Sequence, residues 1–260
     1  MSGPGIILEK RGQVAHVLID NPSAHNALTS PMWLELGDAA RAIAEDPSIR
    51  VAVFRGAGGK AFVSGTDISG FATFTSGADG VAYERNGDAC MRALDEIPVT
   101  TIAVIEGWAV GGGLNIACAC DFRIATPDAR FGSPIGRTLG NCLSAQSLAR
   151  IGGALGVQVA RRMVLLGEIL TAPELLACGF LLGVVERDAL EAEIEALCSR
   201  AAENAPLTTR ATKTILREMR LANLPDDEAT IAQVYGSADF RQGVRDFLAK
   251  TKAVPDWTGS

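Results

Sequence analysis

The chain has 260 residues, a formal net charge of −6, 48% hydrophobic residues and 21% charged ones. That balance is ordinary for a globular protein and excludes a disordered chain, and the length is ample for a sizeable core. The acidic charge disfavours a general nucleic-acid binder, because nothing would offset phosphate repulsion; with aromatic residues at only 5%, Ala, Val, Leu and Ile must fill the core.

Met1 to Gly5 is small and polar, and Ile6 to Leu8 is too short for a signal-peptide core. Ile6–Leu8 and Val14–Ile19, split by Arg11-Gly12, read as an antiparallel hairpin. Ser30-Pro31 reads as a helix start, with Ser as cap and Pro tolerated in the first turn. Trp33, Leu36, Ala40 and Ile43 then recur at helical spacing until Asp46-Pro47. Val51–Phe54 is a strand candidate, Gly56–Gly59 a turn, Val81–Glu96 a helix and Val99–Ile105 a β-branched buried strand. Gly107–Gly113 leads into a short helix ending near Cys120, and Asp121–Ala125 is strand-like. The order is strand, strand, helix, repeated, without a fixed sequence period. Beyond Thr138 the pattern turns helical: 145–150, 157–166, 173–178, then a short strand at Val184-Val185, then 188–204, 207–220, 226–235 and 239–250. The most apolar stretch, Val99–Ala119, is interrupted by Glu106, Asn115 and glycines, so a membrane span is not expected, and the setting expected is cytoplasmic.

Two passages carry the chemistry: Lys60-Ala61-Phe62-Val63-Ser64-Gly65-Thr66-Asp67-Ile68, and Gly107-Trp108-Ala109-Val110-Gly111-Gly112-Gly113-Leu114-Asn115. In the second, a strand enters a glycine turn that opens a helix. Glycine lets a ligand approach the backbone, and a helix N-terminus presents unpaired N–H groups, so the passage suits an anion or a developing oxyanion. Tight packing of helix on sheet explains the same glycines equally well.

Taken together, the passages resemble the enoyl-CoA hydratase/isomerase (crotonase) family over nearly the whole chain. Asn21-Pro22-Ser23-Ala24-His25-Asn26-Ala27-Leu28 is similar to that family's Arg-Pro-x-x-x-Asn-Ala-Leu segment. Lys60–Ile68 is similar to its Lys-Ala-Phe-x-x-Gly-x-Asp-Ile loop, Gly107–Asp121 to its triple-glycine run ending in Cys-Asp, and Asp239-Phe240-Arg241-Gln242-Gly243 to Lys252 to its last helix. The resemblance implies an α/β fold of the ClpP/crotonase kind, a spiral of β-β-α units. Residues 1–200 would form the core with an acyl-CoA site. Residues 201–260 would form a helical segment that assembles homotrimers or dimers of trimers. It also implies coenzyme A as part of the substrate rather than as a cofactor. The backbone N–H groups of Thr66 and Gly112 would hold the thioester oxygen, which becomes negative in an enolate. Ser23, Ala24, His25, Ser64, Asp67 and Ile68 would lie along the CoA path, with Trp108, Gly111, Ile135 and Arg137 around the acyl group.

The family's hydratases use two glutamates, and this sequence has Asn115 and Ile135 at those positions. Water addition needs a base and an acid, and neither residue supplies one. Three routes stay open. Decarboxylation of a malonyl-type thioester makes the enolate without proton abstraction; there Arg137 would hold the carboxylate and Asn115 would fix its geometry. Relocated acid/base residues are the second route, with Asp79, Tyr83 and Glu84 as candidates that a bland reading makes solvated surface residues. Binding with little turnover is the third. His16 reads as a packed or edge residue, and His25 as a loop residue within reach of phosphate. Two distant histidines give no metal site, and Cys118 and Cys120 read as buried thiols.

Overall fold

The hairpin at the start of the chain forms the edge of the larger of two sheets. A computed structural model describes residues 3–251, 254–255 and 257–260; Met1 and Lys252, which bound two stretches read from the sequence, lie outside the described residues. β1 (Gly5–Arg11) pairs antiparallel with β2 (Val14–Asp20). On β2, Ala15, Val17 and Ile19 are fully buried while their neighbours are half-exposed, the period-2 alternation of a strand with one covered face. β1 ends in Glu9-Lys10-Arg11, charges that blunt an edge strand against pairing with other chains.

α1 (Ser30–Glu45) starts one residue off the expected cap: Thr29, not Ser30, is the N-cap, its Oγ1 accepting from the Met32 N–H. β3 (Val51–Gly56) and β4 (Ala61–Val63) follow, then α2 (Gly77–Asp95), β5 (Thr100–Ile105), β6 (Trp108–Val110) and α3 (Gly112–Ala119). β7 (Phe122–Ala125), β8 (Arg130–Gly132) and the short α4 (Ile135–Thr138) make the next turn. The larger sheet has the order β1-β2-β3-β5-β7 with β10 (Gly183–Val184) last, and all its pairs beyond the hairpin are parallel. The smaller sheet has the order β4-β6-β8 with β9 (Ile169–Thr171) antiparallel at its edge. From β3 to α4, each turn of chain therefore gives one strand to each sheet before its helix, which is the β-β-α spiral. β5 is buried along its whole length, as an interior parallel strand is, with the apolar run 102–105 following Thr100 and Thr101.

α5 (Ala145–Leu155), α6 (Val157–Leu165), α7 (Ala172–Ala177), α8 (Leu190–Ala202) and α9 (Pro206–Leu221) complete the helical part before the last pair. α10 (Glu228–Tyr235) and α11 (Ala238–Leu248) turn back onto the spiral. Tyr235, Phe240 and Val244 from this pair join Ile68, Phe71 and Val81 in one buried cluster, separate from the main core between sheets and helices. The contact of α10 with α2 needs small residues: a Cβ at Gly77 would stand 1.9 Å from the Ala232 carbonyl oxygen, and one at Gly80 2.1 Å from the Tyr235 ring.

Candidate active site

The first glycine turn follows β4 and the second follows β6, and these strands are neighbours in the smaller sheet, so the two turns emerge side by side. A Cβ added to Gly111 would lie 3.9 Å from the Gly65 Cα, and one added to Gly112 would lie 3.5 Å from the Thr66 Oγ1. Gly65 (φ 122) and Gly111 (φ 55) hold backbone conformations that other residues rarely take, which is why the motif needs glycine there. Gly113 answers a different demand: its Cβ would stand 2.0 Å from the Val63 carbonyl oxygen, so only glycine lets α3 start against β4.

The bonds that fix these turns leave two donors over. Leu28 N–H donates to Gly65 O (2.9 Å), Asp67 N–H to Leu28 O (2.8 Å) and Ser64 N–H to His25 O (3.1 Å). In a parallel bridge of this kind the flanking residues make the bonds, and the N–H of Thr66 itself points away from Leu28. In the second turn, Gly111 N–H donates to Gly132 O (2.9 Å) and Asn115 N–H to Gly111 O (3.1 Å). Gly112 is the first residue of α3, where an N–H has no partner inside the helix. Among the described residues neither the Thr66 nor the Gly112 N–H has a backbone acceptor.

Both turns border a largely apolar cavity of about 210 Å³. Of the residues expected from sequence, Ser64, Thr66, Ile68, Gly111, Gly112, Asn115 and Ile135 line it. Ser23, Ala24 and His25 form an exposed turn beside it, tied on by Ser64 Oγ donating to Ala24 O (3.3 Å). Asn26 anchors that turn, its Nδ2 donating to Ala57 O and Ala61 O. Asp67 is exposed and caps the following turn, accepting from Ser69 N–H. Two expected residues stand elsewhere. Trp108 is 45% exposed and does not border the cavity. Arg137 is exposed and lines a second cavity with Asp246 and Thr251, which shares Thr138 and Phe247 with the first.

Asn115 is already committed. Its Nδ2 donates to Ser147 Oγ (2.9 Å) and its Oδ1 accepts from Arg150 Nη1 (3.0 Å). Arg150 is buried and paired with Asp95, which also takes Arg220. Ile135 offers only an apolar wall.

α2 overturns the bland reading of two of its residues. Tyr83 is half-buried and donates to Thr66 Oγ1 (3.0 Å), which Trp33 Nε1 also reaches (3.3 Å). Glu84 is buried on the cavity wall, with Asp88 one turn on. Glu84 accepts from Tyr235 OH (2.5 Å) and from Ser144 N–H (3.2 Å), and Asp88 accepts from Ser144 Oγ (2.8 Å). Desolvation pushes the Glu84 carboxyl up to about 7, the Tyr235 hydrogen bond opposing it and the charge of Asp88 adding to it. Burial likewise raises Asp88. Asp79, by contrast, closes the capping box of α2 with Ser76, and the Thr75 and Ser76 N–H groups hold its carboxyl below the usual range. Cys118 and Cys120 are buried thiols, pushed up to about 12 by desolvation. Among the described residues no Lys, Arg or His lines this cavity.

A family model described as enoyl-CoA hydratase/isomerase matches residues 9–260. The chain belongs to that family. It is 30% identical over 258 residues to the crotonyl-CoA hydratase of Syntrophomonas wolfei, covering 97% of this chain and 98% of that one. It is 37% identical over 210 residues to the (E)-benzylidenesuccinyl-CoA hydratase of Thauera aromatica, 80% of each. A methylmalonyl-CoA decarboxylase solved with 2S-carboxypropyl-CoA superimposes with a TM-score of 0.88 at 25% identity, over the full length of both chains. The fold is the family's, and so is its acyl-CoA class of enzyme; hydratases and decarboxylases both occur among its relatives.

Proposed function

We propose that this chain converts an uncharged acyl-CoA thioester through an enolate, and that the Thr66 and Gly112 amides hold the enolate oxygen. The observation that carries this reading is the pair of unengaged N–H groups on adjoining turns at a largely apolar cavity. Fixed donors in a dry site need no reorganisation as charge develops, and losing one typically costs roughly 3 kcal/mol, about 100-fold in rate. An uncharged acyl group is favoured because the lining carries Glu84 and Asp88 but, among the described residues, no cation. A ligand carboxylate there would meet only like charge.

Decarboxylation of a malonyl-type thioester is the second reading. Its support is the loss of both usual carboxylates to Asn115 and Ile135, which that reaction does not need. Arg137, which would hold the carboxylate, lines the adjoining cavity that shares Thr138 and Phe247 with the first.

Acetoacetyl-CoA tests the donor pair, because its enolate absorbs in the near ultraviolet. Binding should raise that band, and Thr66→Pro, which removes one N–H and spares the bonds of Leu28 and Asp67, should abolish the rise. No band with the wild type overturns the reading. Turnover of crotonyl-CoA, 3-enoyl-CoA and methylmalonyl-CoA then separates the reactions. Carbon dioxide release alone favours the second reading, and tight binding without any product makes the chain a thioester binder.

A further inference from the structure

Resting on that enolate reading, we propose that Glu84 is the proton-transfer residue of this site, taking over the task of the absent carboxylates, with Tyr235 and Asp88 as its positioning residues. Neither position where the family carries its glutamates can move a proton here. Asn115 is an amide with no titratable proton near neutral pH, held by Ser147 and Arg150, and Ile135 is apolar. Glu84 borders the same cavity as Thr66 and Gly112. Its neighbour Tyr83 touches Thr66 directly, which places this turn of α2 beside the donor pair.

The carboxyl is held in place by groups from two other parts of the chain. Gly80, one turn earlier, leaves room for the Tyr235 ring on α2, and the Tyr235 OH then reaches Glu84. Asn141 Nδ2 donates to that same phenol oxygen (3.1 Å) and fixes its direction. Ser144 serves both carboxyls, with its N–H on Glu84 and its hydroxyl on Asp88. The titratable groups facing Glu84 are Tyr83 and Asp88 on α2, Tyr235 on α10, Asp227 just before α10, and Cys142 on the loop before α5. The nearest buried cation, Arg150, is occupied by Asp95 and Asn115. Burial and like charge thus keep Glu84 near half-protonated at neutral pH, the state a residue needs to take a proton and return it.

In the proposed step the Glu84 carboxylate removes a proton from the carbon next to the thioester carbonyl. The C–H pair becomes the C=C bond of the enolate, and the carbonyl π pair moves onto the oxygen held by the two amides. Glu84, now neutral, gives the proton back to a carbon of the same conjugated system.

Exchange of the α-hydrogens of butyryl-CoA in D₂O, read by mass spectrometry, tests the step without assuming a net reaction. The wild type should exchange, with a rate that rises with pH through about 7. Glu84→Gln should exchange at least about 100-fold more slowly and still raise the acetoacetyl-CoA enolate band. Tyr235→Phe removes a bond that favours the anion, so the acid limb should move to higher pH; Asp88→Asn removes a like charge, so it should move to lower pH, each by roughly half a pH unit or more. A role in packing alone would not produce opposite shifts, and these two variants decide the matter if Glu84→Gln fails to fold. An enolate band with no exchange, exchange by Glu84→Gln within threefold of the wild type, or unshifted profiles in both other variants overturns the assignment alone. A wild type without the band overturns the enolate reading and the assignment with it.

Discussion

The two halves of the candidate site are built in opposite ways. The donor side is backbone: two turns after neighbouring strands, with N–H groups placed by sheet pairing and by glycines that no other residue can replace. The acid/base side is side chain: Glu84, Ser144 and Tyr235 come from three places in the sequence and meet only when α2, the loop before α5 and α10 are packed. A backbone site tolerates exchange of its side chains, whereas a side-chain site can relocate within one fold while the backbone half stays where it is.

The largest effect should come from the backbone half. Gly113→Ala puts a Cβ 2.0 Å from a carbonyl oxygen of β4, where only main chain could yield. It should cost about 3 kcal/mol or more, read as a fall in the denaturant midpoint. A change below about 1 kcal/mol would mean that the turn is softer than its geometry implies. The side-chain half should announce itself through pH. Glu84 has a folded-state pKa raised to about 7 from an ordinary 4.5, so the native state holds its proton more tightly than the unfolded chain does. Its contribution is complete below about 4.5 and is lost as pH rises to 7, a loss of at most about 3 kcal/mol. Urea unfolding at pH 5.5 and pH 8 should therefore show Glu84→Gln gaining on the wild type at the higher pH; a constant difference would place Glu84 in water. The smallest effect belongs to Asp79, on the same helix but outside the cavity. Asp79→Ala should lose about 1 kcal/mol of stability through its cap and leave kcat unchanged. A large drop in kcat would move the acid/base side one turn towards the start of α2.

The same contrast explains what the sequence made legible. The glycine turns were readable because a backbone demand leaves a local signature, and the order of strands and long helices followed from periodicity. β4, β8 and β9 have three residues each, too few for any period to register. Glu84 stood in the sequence as one of three candidates and could have been singled out: Val81, Glu84, Asp88 and Met91 follow one another at spacings of three and four, so both carboxyls fall on the apolar face of α2. A charged residue on such a face is a buried charge and calls for a partner. That partner, Tyr235, is 151 positions away and carries no local mark. Arg137 shows the converse, since two positions from Ile135 it lines the adjoining cavity rather than the one that Ile135 walls.

Tyr235 lies in the second-to-last helix, which gives the molecule an order of maturation. While the ribosome is still adding α10, the glycine turns already have every strand they need. Glu84 at that stage lacks the phenol that later holds it. The half proposed to hold oxygen is thus written early in the chain, while the half proposed to move the proton waits for the tail to fold home.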